Sequence, residues 1–448
     1  VYGKKLAGAM AFVGRTRQMA YCAALACALT MSMASLSAYD AAQFTARLAA
    51  YDLSSDYSSA FEIIAERIAA DGAYDGYADT RRFITGDVQA RTAVSIFDRY
   101  IRAAERTSTD TAIRDNVRRY YRVLFSVLTD AAQFTGACSA AELFAKSTSF
   151  DEGVIVQRIG TFFGNGRYDE YLRLYSLLVS EKARSPEYLK AAKAAMNIGS
   201  NAFALALYRR VHTNTPPPSD AFNMGIVSVR VAEYRDALTY FNAVRERPPS
   251  SPVWYYEDIA RLMLGMASAG GKSAYTPYCT AIRSFLSGDY SNAGIQYERS
   301  LREPLPAAWH AETLRMLDIL SDRGMDDAAL KRYAPYLRAS VSENAPGRAA
   351  ALLSLMTADA VPERIRLMAA ANDMTTGTAA LRGALARITP NGTQAVQARI
   401  YLIAVMDALL GNDKAARDGC TAYLIEAPDG LFSFEARNAL LGMKKDMP

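Results

Sequence analysis

Apolar residues recur along most of this chain at spacings of three and four, as helices with one buried face require. "YSSAFEIIAERIAA" (Tyr57–Ala70) and "TAIRDNVRRYYRVLFSVL" (Thr111–Leu128) each set an apolar stripe beside a charged one. "SVSENAPGRAAALLSLM" and "TTGTAALRGALARI" continue the pattern toward the carboxyl end. No stretch alternates with period two for long enough to predict a strand. The pattern predicts an all-α chain.

A longer period lies over the short one. Gly166 is followed 33 residues later by Gly199, and Ala232 stands 33 beyond that. Tyr175, Tyr208 and Phe241 keep the same step, as do Leu178, Val211 and Val244. Pro216 and Pro249 close two of the units. A small residue at a turn, an aromatic nine residues on and a proline after the second helix describe a repeated helix–turn–helix. Ala192 and Ala204, Gly225 and Ala237, Ala281 and Ala293, and Ala404 and Ala416 are each twelve apart across a turn. Side chains this small let two helix backbones approach, with the aromatic filling the space toward the next unit.

These units resemble tetratricopeptide repeats. Met224-Gly225, Ala237, Phe241 and Pro249 make the fullest copy, followed by Tyr188, Ala192, Ala204, Tyr208 and Pro216. Ala281, Ala293 and Tyr297 make a third, and copies around Gly324 and Gly411 are weaker. The family's late first-helix aromatic is replaced by Ala195, Ser228 and Ser284, and Tyr171 takes a small-residue position. The resemblance implies a TPR-like α-solenoid of antiparallel hairpins, with core repeats over 152–307 and degenerate helical regions at 39–151 and 308–448. Tyr234 to Tyr290 exceeds one period by about 23 residues, so an inserted helix near 252–270 is expected, with a shifted repeat boundary as the equal alternative.

In that family the first helix of each unit lines a concave groove. Carried over, the lining is Leu189, Lys193 and Asn197 in one unit, Phe222, Ile226, Val229 and Arg230 in the next, and Tyr278, Ile282 and Phe285 in another. It is largely apolar with a few cations. An amphipathic segment of a protein or peptide partner fits such a lining. A small apolar ligand held for a transport system is the alternative.

Charge narrows the compartment and the partners. The chain carries +5 formally, but Lys4, Lys5, Arg15 and Arg17 stand in the first 38 residues, which hold no acid, leaving +1 for the remainder. A nearly neutral body gives no electrostatic reason to expect nucleic acid. Those cations precede "MAYCAALACALTMSMASLSA", Met19–Ala38, an apolar run with a small-residue exit. A secretory signal peptide over 1–38 is expected, with the mature chain exported to the periplasm. An uncleaved anchor or a lipid on Cys27 are the other readings, and only these would associate the chain with a membrane.

Candidate chemistry is sparse. Gly270-Gly271-Lys272-Ser273 ends like a phosphate loop, but Met266 stands where the first glycine belongs. The lead-in "PVWYYEDIARLMLGMASA" has helical spacing where a strand is required. His212 and His310 lie in different units without a nucleophile motif. Glu62 and Glu66, and Asp326 and Asp327, fit solvated helix faces and turns. Arg114, Arg118 and Arg122 form a basic stripe beside Tyr120 and Tyr121 that could hold an anionic segment. Asn391-Gly392-Thr393 fits a glycosylation sequon. Cys138, Cys279 and Cys420 form no pair, so neither a disulfide framework nor a zinc site follows. No cofactor, metal or catalytic set is expected, and a superhelical peptidoglycan lyase would need a further domain. The expected function is a non-enzymatic scaffold or adaptor in the cell envelope.

Overall fold

The computed structural model describes residues 41–71, 74–107, 111–268, 273–343, 345–373, 379–389, 392–430 and 432–444. The expected signal segment at 1–38, Gly270 to Lys272 and Asn391 lie outside the described residues. Among those described, every regular element is a helix. The chain forms two compact units, Val1–Val211 and His212–Pro448, divided inside the stretch that the repeat pattern groups together.

The first unit contains α1 (Ala41–Ser54), α2 (Tyr57–Ala70), α3 (Tyr77–Phe83), α4 (Asp87–Thr107), α5 (Thr111–Asp130) and α6 (Phe134–Ala145). It continues through α7 (Glu152–Val156), α8 (Ile159–Gly164), α9 (Tyr168–Leu177), α10 (Glu181–Arg184), α11 (Tyr188–Asn197) and α12 (Asn201–Val211). The second unit opens with α13 (Pro218–Arg230), α14 (Tyr234–Ala243), α15 (Val253–Met263), α16 (Thr276–Ser287), α17 (Tyr290–Ser300), α18 (Ala307–Ser321) and α19 (Asp327–Val341). It ends with α20 (Ala345–Met356), α21 (Glu363–Asn372), α22 (Ala379–Arg387), α23 (Thr393–Leu409), α24 (Asp413–Glu426) and α25 (Ser433–Lys444).

One turn recurs. Ala132, Gly166, Gly199, Ala232, Gly265, Gly288 and Gly411 all take the left-handed conformation, with φ between +58° and +87°. After each, the next backbone N–H reaches back five residues to a helix carbonyl, as Ser200 does to Ala195 at 2.8 Å and Glu233 to Ser228 at 2.8 Å. This is the Schellman closure, which satisfies carbonyls that a helix end leaves bare. The second helix then begins its own ladder at a residue of no exposure: Ala137, Tyr171, Ala204, Ala237, Ala293 or Ala416.

Two helices so joined lie against each other, and the side chains at the crossing explain how closely. In the α13–α14 hairpin the ring of Phe241 packs onto Gly225, where no side chain intervenes. In α23–α24 a Cβ added at Gly419 would stand 2.7 Å from that of Ala404. The small position opposite Ala404 is thus Gly419 as well as Ala416. The aromatic therefore covers its own hairpin before it reaches the next one. Burying a side chain the size of Phe241 contributes about 1.5–3 kcal/mol.

α15 lies in the stretch 252–270 where the period is interrupted. Its closing turn at Gly265 stands 33 residues after Ala232, in phase with Gly166 and Gly199. By that spacing its end is in phase with the first helices of the neighbouring units. What breaks the period is the second helix: residues 266–268 and 273–275 are not helical, and α16 starts at Thr276. Tyr255 to Ala260 of α15 are buried without interruption. Its lead-in is helical as expected.

Candidate binding site

Most of the apolar part of the predicted groove lining is core. Tyr278 is 2% exposed, Ile226 5%, and Val229, Ile282 and Phe285 not at all. These five are therefore not available to a partner. The reason is geometric: the apolar face of a first helix is consumed by its own second helix and its neighbours, and a wet groove needs polar positions. Phe222 is half-buried, its ring centroid 6.4 Å from that of Tyr256. Leu189 and Lys193 are half-buried, and Asn197 is exposed at the end of α11, where its amide donates to the Lys193 carbonyl.

Arg230 is the predicted cation with a built environment. Its Nε and Nη2 hydrogens point at one oxygen of Glu343, at 2.7 and 2.6 Å. The Tyr256 hydroxyl donates to the other oxygen at 2.9 Å. Three donors thus converge on one carboxylate, from residues 113 and 87 positions earlier in the sequence. The ion pair is partly open, with side-chain exposures of 22% for Arg230 and 30% for Glu343. Burial and the neighbouring Glu343 carboxylate raise the Tyr256 phenol well above its usual range, so it remains a donor.

Glu343 occupies a position that glycine fills elsewhere. It follows α19 with φ of +51°, and its N–H closes on the Ser340 carbonyl at 3.0 Å. For a residue with a Cβ this conformation costs about 1–2 kcal/mol. A partly exposed ion pair returns about 0–1 kcal/mol. The two nearly cancel. Beside it, the buried Tyr255 hydroxyl donates to the Val341 carbonyl at 3.0 Å and holds the end of α19 in place independently.

The rest of α15 explains why Tyr256 is rigid. Glu257, 3% exposed, receives Arg247 at 2.5 Å and Arg261 at 3.1 Å. Asp258, 5% exposed, takes two bonds of 3.0 Å from Arg283. Buried charges persist only when paired and hydrogen-bonded, and both of these are.

The first unit carries a different feature, a half-open recess of about 560 Å³ between α4 and α6. Its inner side is the buried Ala90 and Phe134 with the half-buried Val94, and its rim includes Asp87, Arg91, Ser95, Ala132, Gln133, Thr135 and Ser139. Arg167, at the start of α9, closes one side over the Phe134 ring at 5.5 Å and pairs with Glu170. Arg91 is exposed and makes no ion pair among the described residues. A mixed wall of hydroxyls, amide and guanidinium over an apolar floor suits an extended polypeptide. The sequence pointed here only faintly, through Ala132 and Ala137 in "LTDAAQFTGAC", a turn and small position like those of the clearer units.

The remaining candidates resolve into local structure. Arg119, inside the basic stripe, donates to the carbonyls of Ile68, Asp71 and Tyr74, and Arg118 to that of Ser149, so part of the stripe ties helix ends and loops together. Glu62 pairs with Arg99 at 2.6 Å and Glu66 accepts from Tyr100. Asp326 caps α19 through the Ala329 amide. His212 meets Asp220 at 3.0 Å, and His310 the Glu303 carbonyl at 3.0 Å. No cluster of metal-binding side chains occurs among the described residues, and the three cysteines there are buried. No protein-family model matches the chain, and no curated protein matches it.

Proposed function

We propose that this chain is an exported helical-repeat scaffold, built of tetratricopeptide-like hairpins, that holds a polypeptide partner in the cell envelope. The observation that carries the reading is the return of one helix-closing turn at Gly166, Gly199, Ala232 and Gly265, each in the left-handed conformation. A chain that spends its length on copies of one hairpin devotes its core to stacking. Its accessible side chains are then free to differ from copy to copy, which is how such arrays recognise partners. Export rests on the basic and apolar character of residues 1–38. The recess between α4 and α6 is the surface on which contact is expected in the first unit.

A photo-reactive amino acid at Arg91 or Thr135, with exposed Asp418 as control, tests this directly in cells that produce the protein. Cross-links to one discrete polypeptide from the recess positions, and not from the control, support the reading. Irradiated products that contain no second polypeptide from either recess position contradict it.

A further inference from the structure

We infer that Arg230 and Tyr256 form a binding site for a carboxylate of a partner polypeptide, and that Glu343 occupies it in cis as a displaceable plug. The inference rests on the partner-binding reading above and adds a recognition chemistry and its regulation.

Three observations carry it together. Two guanidinium hydrogens meet one oxygen of a carboxylate and a phenol from a different helix meets the other, so both oxygens of the acid have charge-assisted donors. The acid they hold comes from a turn position where most other hairpins place glycine or alanine, so Glu343 is seated against its own backbone preference. The pair is open to solvent on one side, whereas the buried Tyr255–Val341 bond keeps the end of α19 anchored without it. A group held so weakly, and not needed to anchor the turn, yields to a competing carboxylate. A site occupied by its own chain binds a ligand with an affinity reduced by the fraction of time it is free.

The chemistry needed is a negatively charged oxygen pair on a flexible chain. A Glu or Asp side chain and a C-terminal carboxylate both offer it.

The probe is a fluorescein-labelled Gly/Ser decapeptide with three glutamates, made as free acid and as amide, and titrated by fluorescence anisotropy against the full chain. Glu343→Gln and Glu343→Gly are each expected to tighten binding by about fivefold or more, because either removes the internal competitor. Glu343→Gly also relieves the left-handed strain, so at least one variant keeps its native helicity and melting temperature. Adding Arg230→Gln to either variant is expected to abolish the gain. Loss of affinity on amidation would assign the site to chain ends, and equal affinity to side chains. Two results overturn the inference: Glu343 variants that bind no better than the native chain, or a gain that survives Arg230→Gln. Cross-linking at Arg91 and this titration fail independently, since they probe different units.

Discussion

The ring of Phe241 lies directly on Gly225, so that a Cβ built on the glycine would stand 2.6 Å from Cδ1 and 2.7 Å from Cζ. Helix α13 approaches α14 only because position 225 has no side chain, and a methyl there has to move either the ring or the helix. Phe241 is fully buried and has little room to retreat. Gly225→Ala should therefore cost about 1–3 kcal/mol by overpacking, despite the higher helix propensity of alanine. Urea unfolding followed by circular dichroism checks this; a midpoint equal to or above the native value would refute the close-packed hairpin.

The recurring turn yields a prediction of opposite signs. Ala132 and Ala232 hold φ of +58° and +64°, conformations that glycine adopts without steric cost. Ala232→Gly should stabilise by about 0.5–1 kcal/mol, the relief of strain exceeding the extra freedom of the unfolded chain. Gly199→Ala, at φ of +80°, should destabilise by about 1 kcal/mol. Differential scanning calorimetry of the two variants separates them. Shifts in the same direction would contradict a left-handed turn at both sites.

Stability should fall at both ends of the pH scale. Hydrogen bonds from Arg382 hold Asp407 below the ordinary carboxylate range, and Arg364 does the same for Asp322. The folded state therefore binds fewer protons in acid. That contribution is complete above about pH 4 to 5 and is lost as the pH drops through and below the ordinary value. Burial pushes the Cys138 thiol and the Tyr401 phenol up to about 12. Their contribution is complete below the unfolded values, about 8.5 and 10, and disappears as the pH climbs toward 12. Urea midpoints measured from pH 3 to 11 should form a plateau from about 5 to 8.5. A midpoint that rises above pH 10 would be inconsistent with these buried groups.

A charged probe of the apolar first-helix face acts on folding before it acts on binding. The family resemblance implies that Ile226 and Ile282 are lining, but they are 5% and 0% exposed. Ile226→Asp and Ile282→Asp each bury a carboxylate with no partner and should cost about 4 kcal/mol. Loss of helicity or of soluble protein is the expected result. A variant with a native melting temperature would show that the face is wet after all.

What the sequence determined is what neighbours along the chain settle among themselves. Helix periodicity, the turns at Gly166, Gly199 and Ala232, and the buried position five residues past each turn all follow from contacts within about five residues. The Schellman bonds are of that range, so their pattern is written locally. Tertiary packing decided what depends on distant partners. It chose which half of each first helix became core, and so took Ile226, Val229, Tyr278, Ile282 and Phe285 out of the expected groove. It set the end of α15 in phase with the earlier turns, at Gly265, inside the stretch where spacing alone left an insertion and a shifted boundary equally open. It also brought Glu343 to Arg230 across 113 residues, a pairing that periodicity leaves open because each residue alone is an ordinary surface charge.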